Sequence, residues 1–159
     1  MIPSDRQGLL IVIADGARAR LVRCAGDNAL HTVQEFESDA ARERSSGLGT
    51  DKPGATMHTG STAQHAIQPR SDLQQLEKAK FAAVVADAVD TACAREQISG
   101  VLLVAPPHAL NEVKENLSVA AARKVLGSVA KDLAKVPDHQ LQTHLADWIP
   151  PIYRPHSHI

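Results

Sequence analysis

The apolar run GVLLVAPP at residues 100–107 limits the fold of this chain more than any other feature. Two prolines end the run, and a short continuous run of this kind is typical of a strand that is buried on both faces. Such a strand requires other elements above and below its sheet. The run therefore predicts an α/β fold in which helices cover a sheet.

A long helix is predicted ahead of that strand. Ser71 and Gln74 fit a capping box, in which the Ser71 hydroxyl accepts from the Gln74 amide and the Gln74 side chain reaches back. Gly100 is predicted to be the C′ residue that ends the helix. Between these signals, apolar residues recur at three- and four-residue steps, which is the pattern of one buried face: Leu73, Leu76, Phe81, Val84, Val85, Ala88, Val89 and Ala92.

Two turn signals near the N-terminus predict a three-stranded antiparallel meander. Asp15 and Gly16 separate two aliphatic runs, and Asp-Gly is a preferred hairpin pair because both central positions of the tight turn need positive φ. Gly-Asp-Asn at residues 26–28 separates the second run from a third. The third run alternates through Leu30, Thr32 or Val33, and Phe36.

The C-terminal part predicts shorter elements. HALNEVKENLS at residues 108–118 fits a short helix, whereas residues 120–136 fit a helix by their Ala, Arg and Lys content and a strand by their alternation. A last amphipathic helix is predicted from near Pro137, and residues 149–159 form a proline-rich tail. The order of elements predicts a mixed sheet in a single domain over residues 1–148.

Composition gives no general argument for a nucleic-acid or membrane partner, because the chain has 17 basic and 18 acidic side chains, which nearly balance. Cys24 and Cys93 lie far apart in the sequence, as is typical of a reducing compartment. The N-terminus has no basic region ahead of a cleavage site, and no apolar run is long enough to cross a bilayer. We therefore expect a cytoplasmic protein without a membrane partner.

Motifs for metal or nucleotide chemistry are absent from the sequence. Eight histidines occur, including His156 and His158 in the tail, but no HExxH motif or Cys/His cluster accompanies them. His108 is interpreted as the beginning of a helix. GLGTDKPG at residues 47–54 lacks the Gly-Lys-Ser/Thr ending of a P-loop, and no Gly-x-Ser-x-Gly elbow occurs. We expect no metal and no small-molecule cofactor.

Periodicity disappears between residues 37 and 70, and a long irregular segment in a compact domain is usually functional or disordered. We therefore predict a long mobile loop at about residues 38–70. From Lys52 to Ser71 this segment has no Asp or Glu, while hydroxyls and backbone N–H groups suited to phosphate and sugar contacts are frequent. A solvated loop with incidental basic residues is the alternative. The candidate basic side chains are Arg42, Arg44, Lys52, His58, His65 and Arg70.

Arg18 and Arg20 alternate on the second predicted strand. They are interpreted either as part of an RNA-facing surface or as the wet face of an edge strand. Asp15 and Gly16 likewise fit either a functional corner or a simple hairpin turn.

Four blocks of the sequence resemble the bacterial host-attachment family: IADGARARLV, TDKPGATMHTGSTAQHAIQPRSD, GVLLVAPPHALNEVKENLS and KVLGSVAKDLAKVPDHQLQTHL. The resemblance runs from about residue 10 to 145, with the blocks in the right order. That family is similar to the middle domain of archaeal and eukaryotic peptide release factors and of Pelota. The resemblance implies an RNase H-like fold, similar to ribosomal proteins L18 and S11, and a strand near residues 124–130.

The resemblance also places the segment 40–70 where release factors carry their Gly-Gly-Gln loop. The nearest equivalent here is GSTAQ, from Gly60 to Gln64, but Thr62 and Ala63 stand where two glycines are needed. Together with the composition of the segment, this predicts a non-enzymatic protein that contacts ribosomal RNA or tRNA through residues 40–70, with Asp15 and Arg18 as further candidate contact residues. The alternatives are a peptidyl-tRNA or nucleic-acid hydrolase that uses the same segment, and a module that affects host attachment through a protein partner.

Overall fold

The chain forms a five-stranded mixed sheet in a computed structural model that describes residues 6–25, 29–41 and 70–149. The strands are β1 (Leu9–Ala14), β2 (Arg18–Cys24), β3 (Leu30–Glu37), β4 (Gly100–Val104) and β5 (Val125–Val129). They lie in the order β3-β2-β1-β4-β5. The first three strands pair antiparallel, whereas β4 is parallel to β1 and β5 is parallel to β4. The predicted α/β fold with an initial antiparallel meander is confirmed.

Helices cover both faces of the sheet, and a 3-10 turn (Arg6–Gly8) precedes β1. The helices are α1 (Arg70–Arg95), α2 (Pro107–Asn116), α3 (Val119–Ala122) and α4 (Asp138–His144). Buried residues of α1, α2 and α3 pack on one face, together with side chains such as Val12 and Leu103. Leu141 of α4 packs on the other face with Ile13 and Leu102. The sheet therefore separates two apolar layers.

The internal position of β4, between β1 and β5, explains its uninterrupted apolar sequence. All five of its residues are buried, with Val101 and Leu103 in one layer and Leu102 and Val104 in the other. Each such side chain contributes about 1.5–3 kcal/mol when it is fully buried. The predicted two-faced strand is confirmed.

The predicted limits and buried face of α1 are partly wrong. The helix begins at Arg70, so Ser71 lies inside the first turn instead of at the N-cap. Leu76 and Val84, which were predicted to be buried, are 53% and 51% exposed. Each helical step rotates by about 100°, so the true stripe excludes them. The residues buried on this helix are Phe81, Ala82, Val85, Ala86, Val89 and Ala92.

Gly100 does not end α1, which finishes at Arg95. Gly100 is the first residue of β4, where it pairs with Leu9. A Cβ at this position would lie 2.5 Å from Cδ1 of Leu126, so the neighbouring side chain leaves no room for one. The glycine that resembled a helix stop is a close-packing residue of the sheet.

A register shift between β2 and β3 explains why the third strand alternated ambiguously. Leu21 pairs with Gln34 and Val22 with Thr32, which leaves Val33 as the extra residue of a bulge. Thr32 is half-buried and Val33 is exposed. Of the two candidates for the inward-facing position after Leu30, Thr32 is therefore the correct one and Val33 is not.

Arg20 does not lie on a wet edge. Its strand, β2, is internal, and the side chain is only 12% exposed. Nη2 donates to the carbonyl of Leu133 at 3.0 Å and to that of Val136, while Nη1 lies 3.2 Å from Oδ1 of Asp138. The guanidinium therefore holds the segment that leads into α4 against the sheet.

The two elements predicted near the C-terminus are confirmed. The ambiguous segment contains β5, as the family resemblance implied, and α4 begins directly after Pro137. Residues 150–159, which include most of the predicted tail, lie outside the described residues.

Candidate functional site

One carboxylate holds the turn between β1 and β2. Oδ1 of Asp15 accepts hydrogen bonds from the N–H groups of Ala17 and Arg18, both at 2.7 Å. The N–H of Asp15 donates to the Arg18 carbonyl at 2.9 Å. The predicted positive φ at Gly16 is wrong, because its φ lies outside the left-handed region. The turn is stabilised by the side-chain oxygen of Asp15, as in an Asx turn.

The close approach of a neighbouring side chain explains why residue 16 of this turn is a glycine. A Cβ on Gly16 would lie 3.0 Å from Cε of Lys78 and 3.1 Å from its Cδ. The aliphatic stem of Lys78 thus lies across the turn, while the residue as a whole stays exposed. The sequence reasoning missed Lys78, and no motif marks it, since its position depends on how α1 packs on the sheet.

Ser38 joins the end of β3 to the same turn. Its N–H donates to the carbonyl of Ala17 at 2.7 Å. Its Oγ accepts from the N–H of Ala41 at 3.0 Å, which makes Ser38 an N-cap, and residues 39–41 are helical. Of the segment that was predicted to be a loop, only residues 38–41 and Arg70 are described. Helical structure is present at both of these ends.

Two adjoining cavities lie beside the turn. The larger one, which we call the turn cleft, has a volume of about 510 Å³ and is bounded by residues 15–17, by Ser38 and Ala40, and by the N-terminal part of α1. The smaller one, the side pocket, has a volume of about 140 Å³. Asp15, Gly16 and Lys78 line both cavities. The turn therefore forms the wall that the two cavities share.

Apolar and polar side chains line the side pocket. Phe81, Val85 and Val113 are among the apolar residues, and His108 and Glu112 are among the polar ones. Nε2 of His108 lies 2.8 Å from Oε1 of Glu112. His108 is the second residue of α2, so the prediction that it begins a helix is confirmed.

The position of these cavities in the sheet favours binding. β1 turns back into β2 on one side and has the parallel strand β4 on the other, so the direction of the chain connections changes there. Ligands of open α/β sheets bind beyond the carboxyl ends of the strands at such a switch point. The turn cleft lies at the carboxyl end of β1, and Pro106, just after β4, lines the side pocket.

Arg18 lies apart from the turn cleft. It is exposed and lines another cavity of about 390 Å³ together with Arg20, Glu35 and Glu37. Two arginines and two glutamates therefore line the same cavity. The surface around Arg18 carries both signs of charge.

Most of the predicted site residues lie outside the described residues: Arg42, Arg44, Lys52, His58, Gly60, Gln64 and His65. Arg70 begins α1, and only its backbone is described. The structure therefore locates the side chains of Asp15 and Arg18 alone. It places the first in the wall of the turn cleft and the second outside it.

Neither metal chemistry nor membrane insertion gains support from the described part of the chain. Among residues 6–25, 29–41 and 70–149, no group of three or more His, Cys, Asp or Glu side chains is arranged to hold a metal ion. No helix in the same ranges combines the length and the apolar character needed to cross a membrane.

The chain was compared with protein-family models. Residues 10–145 match the family described as "Protein required for attachment to host cells". No curated protein sequence matches the chain. The residues matched by the family model include β1 from Leu10 onward, the other four strands, α1 and the residues that line the turn cleft.

Among solved structures, the chain is similar to an archaeal translation termination factor, aRF1. The TM-score is 0.49 and the sequence identity is 14%. The similarity covers 87% of this chain but 38% of the archaeal factor, so the chain spans little more than a third of that protein. Because the family model matches most of the sequence, the chain belongs to the family of proteins required for attachment to host cells.

Proposed function

We propose that the chain is a non-enzymatic binding protein that contacts ribosomal RNA or tRNA through residues 40–70. The observation that carries the proposal is the position of the two ends of this segment. Ala40 at one end, and Leu73 and Gln74 just beyond the other, line the same turn cleft. Whatever lies between them starts and finishes at the carboxyl end of β1, where open α/β sheets bind their ligands.

The composition of the segment supports RNA as the partner. No carboxylate occurs from Lys52 to Ser71, although the whole chain carries a formal charge of -1. Basic side chains, hydroxyls and backbone N–H groups suit phosphate and sugar contacts, which fix position without reading sequence. Lys78 adds an exposed cation at the wall of the cleft.

Two features favour binding over hydrolysis. Thr62 and Ala63 replace the glycines that would let the backbone before Gln64 adopt the conformations of a release-factor loop. At the cleft itself, Oδ1 of Asp15 is engaged by two backbone N–H groups, which suits a structural acceptor better than a general base.

A ribosome-pelleting assay tests the proposal. The wild-type chain is mixed with ribosomes and sedimented over a range of salt concentrations, because phosphate contacts weaken steeply as salt rises. A variant carrying Arg42→Ala, Lys52→Ala, His65→Ala and Arg70→Ala is expected to stay in the supernatant. The matched control, which loses the same charges elsewhere, carries Arg95→Ala, Lys114→Ala, Lys135→Ala and His139→Ala. Equal pelleting of the two variants would refute the proposal.

The family description favours a second candidate, a module that affects attachment to host cells through a protein partner. This candidate predicts binding to a protein with little dependence on salt. Release of labelled peptide from peptidyl-tRNA, lost on Gln64→Ala, would instead indicate the hydrolase.

A further inference from the structure

The two edge strands of the sheet differ in how well they are protected from pairing with another chain. The strand order places β3 at one edge and β5 at the other. On β3, the backbone N–H of Thr32 donates to Oδ2 of Asp138 at 2.8 Å, and Glu35 and Glu37 add charges, both of which discourage pairing with another chain. Within the described ranges, β5 pairs with β4 alone, and no strand covers its outer side.

Some backbone groups of β5 point outward, on the side of the strand opposite β4. The carbonyl of Val129 accepts from the N–H of Ala105 at 3.1 Å and therefore faces β4. Successive peptide groups of a strand point in opposite directions, so the N–H and C=O of Ser128 face outward. All five residues of β5 are half-buried, whereas all five of β4 are buried. Neither a proline nor a charged residue, the usual protections of an edge, interrupts VLGSV.

We propose that the outer edge of β5 binds an extended segment of a partner protein, which adds to the sheet as a sixth strand and carries a carboxylate at each end. The charges that flank the strand identify this partner. Arg123 and Lys124 come just before β5, and Lys131 follows it closely. Asp132 is the next residue, and its Oδ1 accepts from the N–H of Ala134 at 3.2 Å, on the side of the chain that leads away from β5. A five-residue strand spans about 17 Å, so carboxylates just beyond the two ends of a matching partner strand lie about 20 Å apart. Backbone hydrogen bonds supply the attraction, and the flanking charges select the partner.

A second copy of the chain fits this edge less well. Antiparallel pairing of two β5 strands centred on Gly127 would place Arg123 of one copy opposite Lys131 of the other. Like charges directly opposite one another destabilise a strand pair. In this register, the edge favours a partner with acidic ends over self-association.

Amide hydrogen exchange of the full chain tests the proposal. The probe is the peptide Glu-Thr-Val-Thr-Val-Thr-Glu, and the control is Lys-Thr-Val-Thr-Val-Thr-Lys. The acidic peptide is expected to slow exchange at the Ser128 N–H by at least about tenfold, because an open donor becomes hydrogen-bonded. The lysine peptide is expected to leave the rate unchanged. Unchanged exchange with the acidic peptide would overturn the proposal, as would a Ser128 amide that is already protected in the dilute chain alone.

Two variants complete the test. Ser128→Pro removes the outward donor without removing a hydrogen bond to β4, and edge positions tolerate proline, so binding of the acidic peptide is expected to be lost. Arg123→Glu, Lys124→Glu and Lys131→Glu in one variant are expected to reverse the preference and bind the lysine peptide. Failure of this reversal would exclude the flanking charges as the selector. Protection of Ser128 that rises with protein concentration alone would replace the acidic partner with a second copy.

Discussion

Asp138 and Arg20 pair across the sheet, although 118 residues separate them in the sequence. Oδ1 of Asp138 lies 3.2 Å from Nη1 of Arg20 and 2.6 Å from the hydroxyl of Thr32, and Oδ2 accepts from the Thr32 N–H at 2.8 Å. One carboxylate at the start of α4 therefore contacts both β2 and β3. This single group fastens the C-terminal helix to the meander.

Asp138→Asn is expected to lower the free energy of unfolding by about 1–2 kcal/mol. The amide keeps the size of the side chain but loses the charge that faces Arg20 and one of the oxygens that accept from Thr32. Partial exposure of the pair keeps the effect below that of a fully buried ion pair. Urea denaturation measures the difference. Asp147→Asn, at an exposed position, is the control, and equal midpoints for the two variants would contradict the prediction.

Low pH is expected to remove the contribution of Asp138 to the stability of the folded chain. Burial by itself raises the pKa of this carboxyl, but the Thr32 hydroxyl and N–H, Arg20 and His31 outweigh burial and lower the pKa below its usual value. Because the folded pKa lies below the unfolded one, the ionised group stabilises the folded chain above about pH 4. That stabilisation is lost as the pH falls through the folded pKa. Unfolding measured from pH 7 downward should show the wild type and Asp138→Asn converge, and a gap that stays constant would contradict the assignment.

Gly127→Ala is expected to disturb the packing of Trp148. A Cβ at this position would lie 2.3 Å from Cζ3 and 2.5 Å from Cη2 of the indole ring, so the ring must move. Overpacking of this kind typically costs about 1–3 kcal/mol. The chain has one tryptophan, so its fluorescence emission reports the change directly.

Gly16→Ala provides the matched control for this prediction. Its Cβ would meet the flexible side chain of Lys78 at 3.0 Å, and that chain can move aside. We therefore expect a loss of stability under about 1 kcal/mol and unchanged emission. The packing argument fails if Gly127→Ala matches the wild type in both melting temperature and emission maximum.

Asp15→Ala is expected to destabilise the first hairpin by about 1–2 kcal/mol, because two backbone N–H groups lose their acceptor. Asp15→Asn keeps a side-chain oxygen at the same place and is expected to unfold close to the wild type. Thermal unfolding of the two variants separates acceptance of hydrogen bonds from charge. Equal losses in both would indicate that the charge of Asp15 matters instead.

Patterns that depend on neighbouring residues predicted the fold well. The apolar run of β4, the meander and the order of the later elements were all recognisable, because local periodicity records which faces are buried. The wrong predictions concern residues whose burial or identity depends on contacts with residues far away in the sequence. Arg20 is covered by the segment that leads into α4, and Gly100 is required by Leu126, which no local pattern indicates.

The candidate site was predictable only in part. Asp15 was visible as a turn residue, but its neighbour Lys78 depends on how α1 crosses the end of β1. Ser38 was missed because an N-cap in an apparently irregular segment has no periodic pattern beside it. The family resemblance supplied the position of β5, where helix propensity and strand alternation conflicted.

Replacing residues 42–69 with a short Gly-Ser linker is expected to preserve cooperative unfolding and to abolish ribosome pelleting. The described strands complete their pairing without these residues, and a shorter connection costs less loop entropy. Circular dichroism and the pelleting assay measure the two properties on the same sample. If the shortened chain folds and still pellets with ribosomes, the RNA contact lies outside residues 42–69.

The meeting of both segment ends at the turn cleft has an evolutionary consequence. Ser38 fixes the point of departure, and α1 fixes the point of return, so the residues between them can be exchanged as a cassette while the pairing of the sheet is kept. If residues 40–70 bind a partner as proposed, selection can then change what a member of this family recognises separately from what keeps it folded. Relatives with the same sheet and different inserts would be expected to share an architecture without sharing a partner.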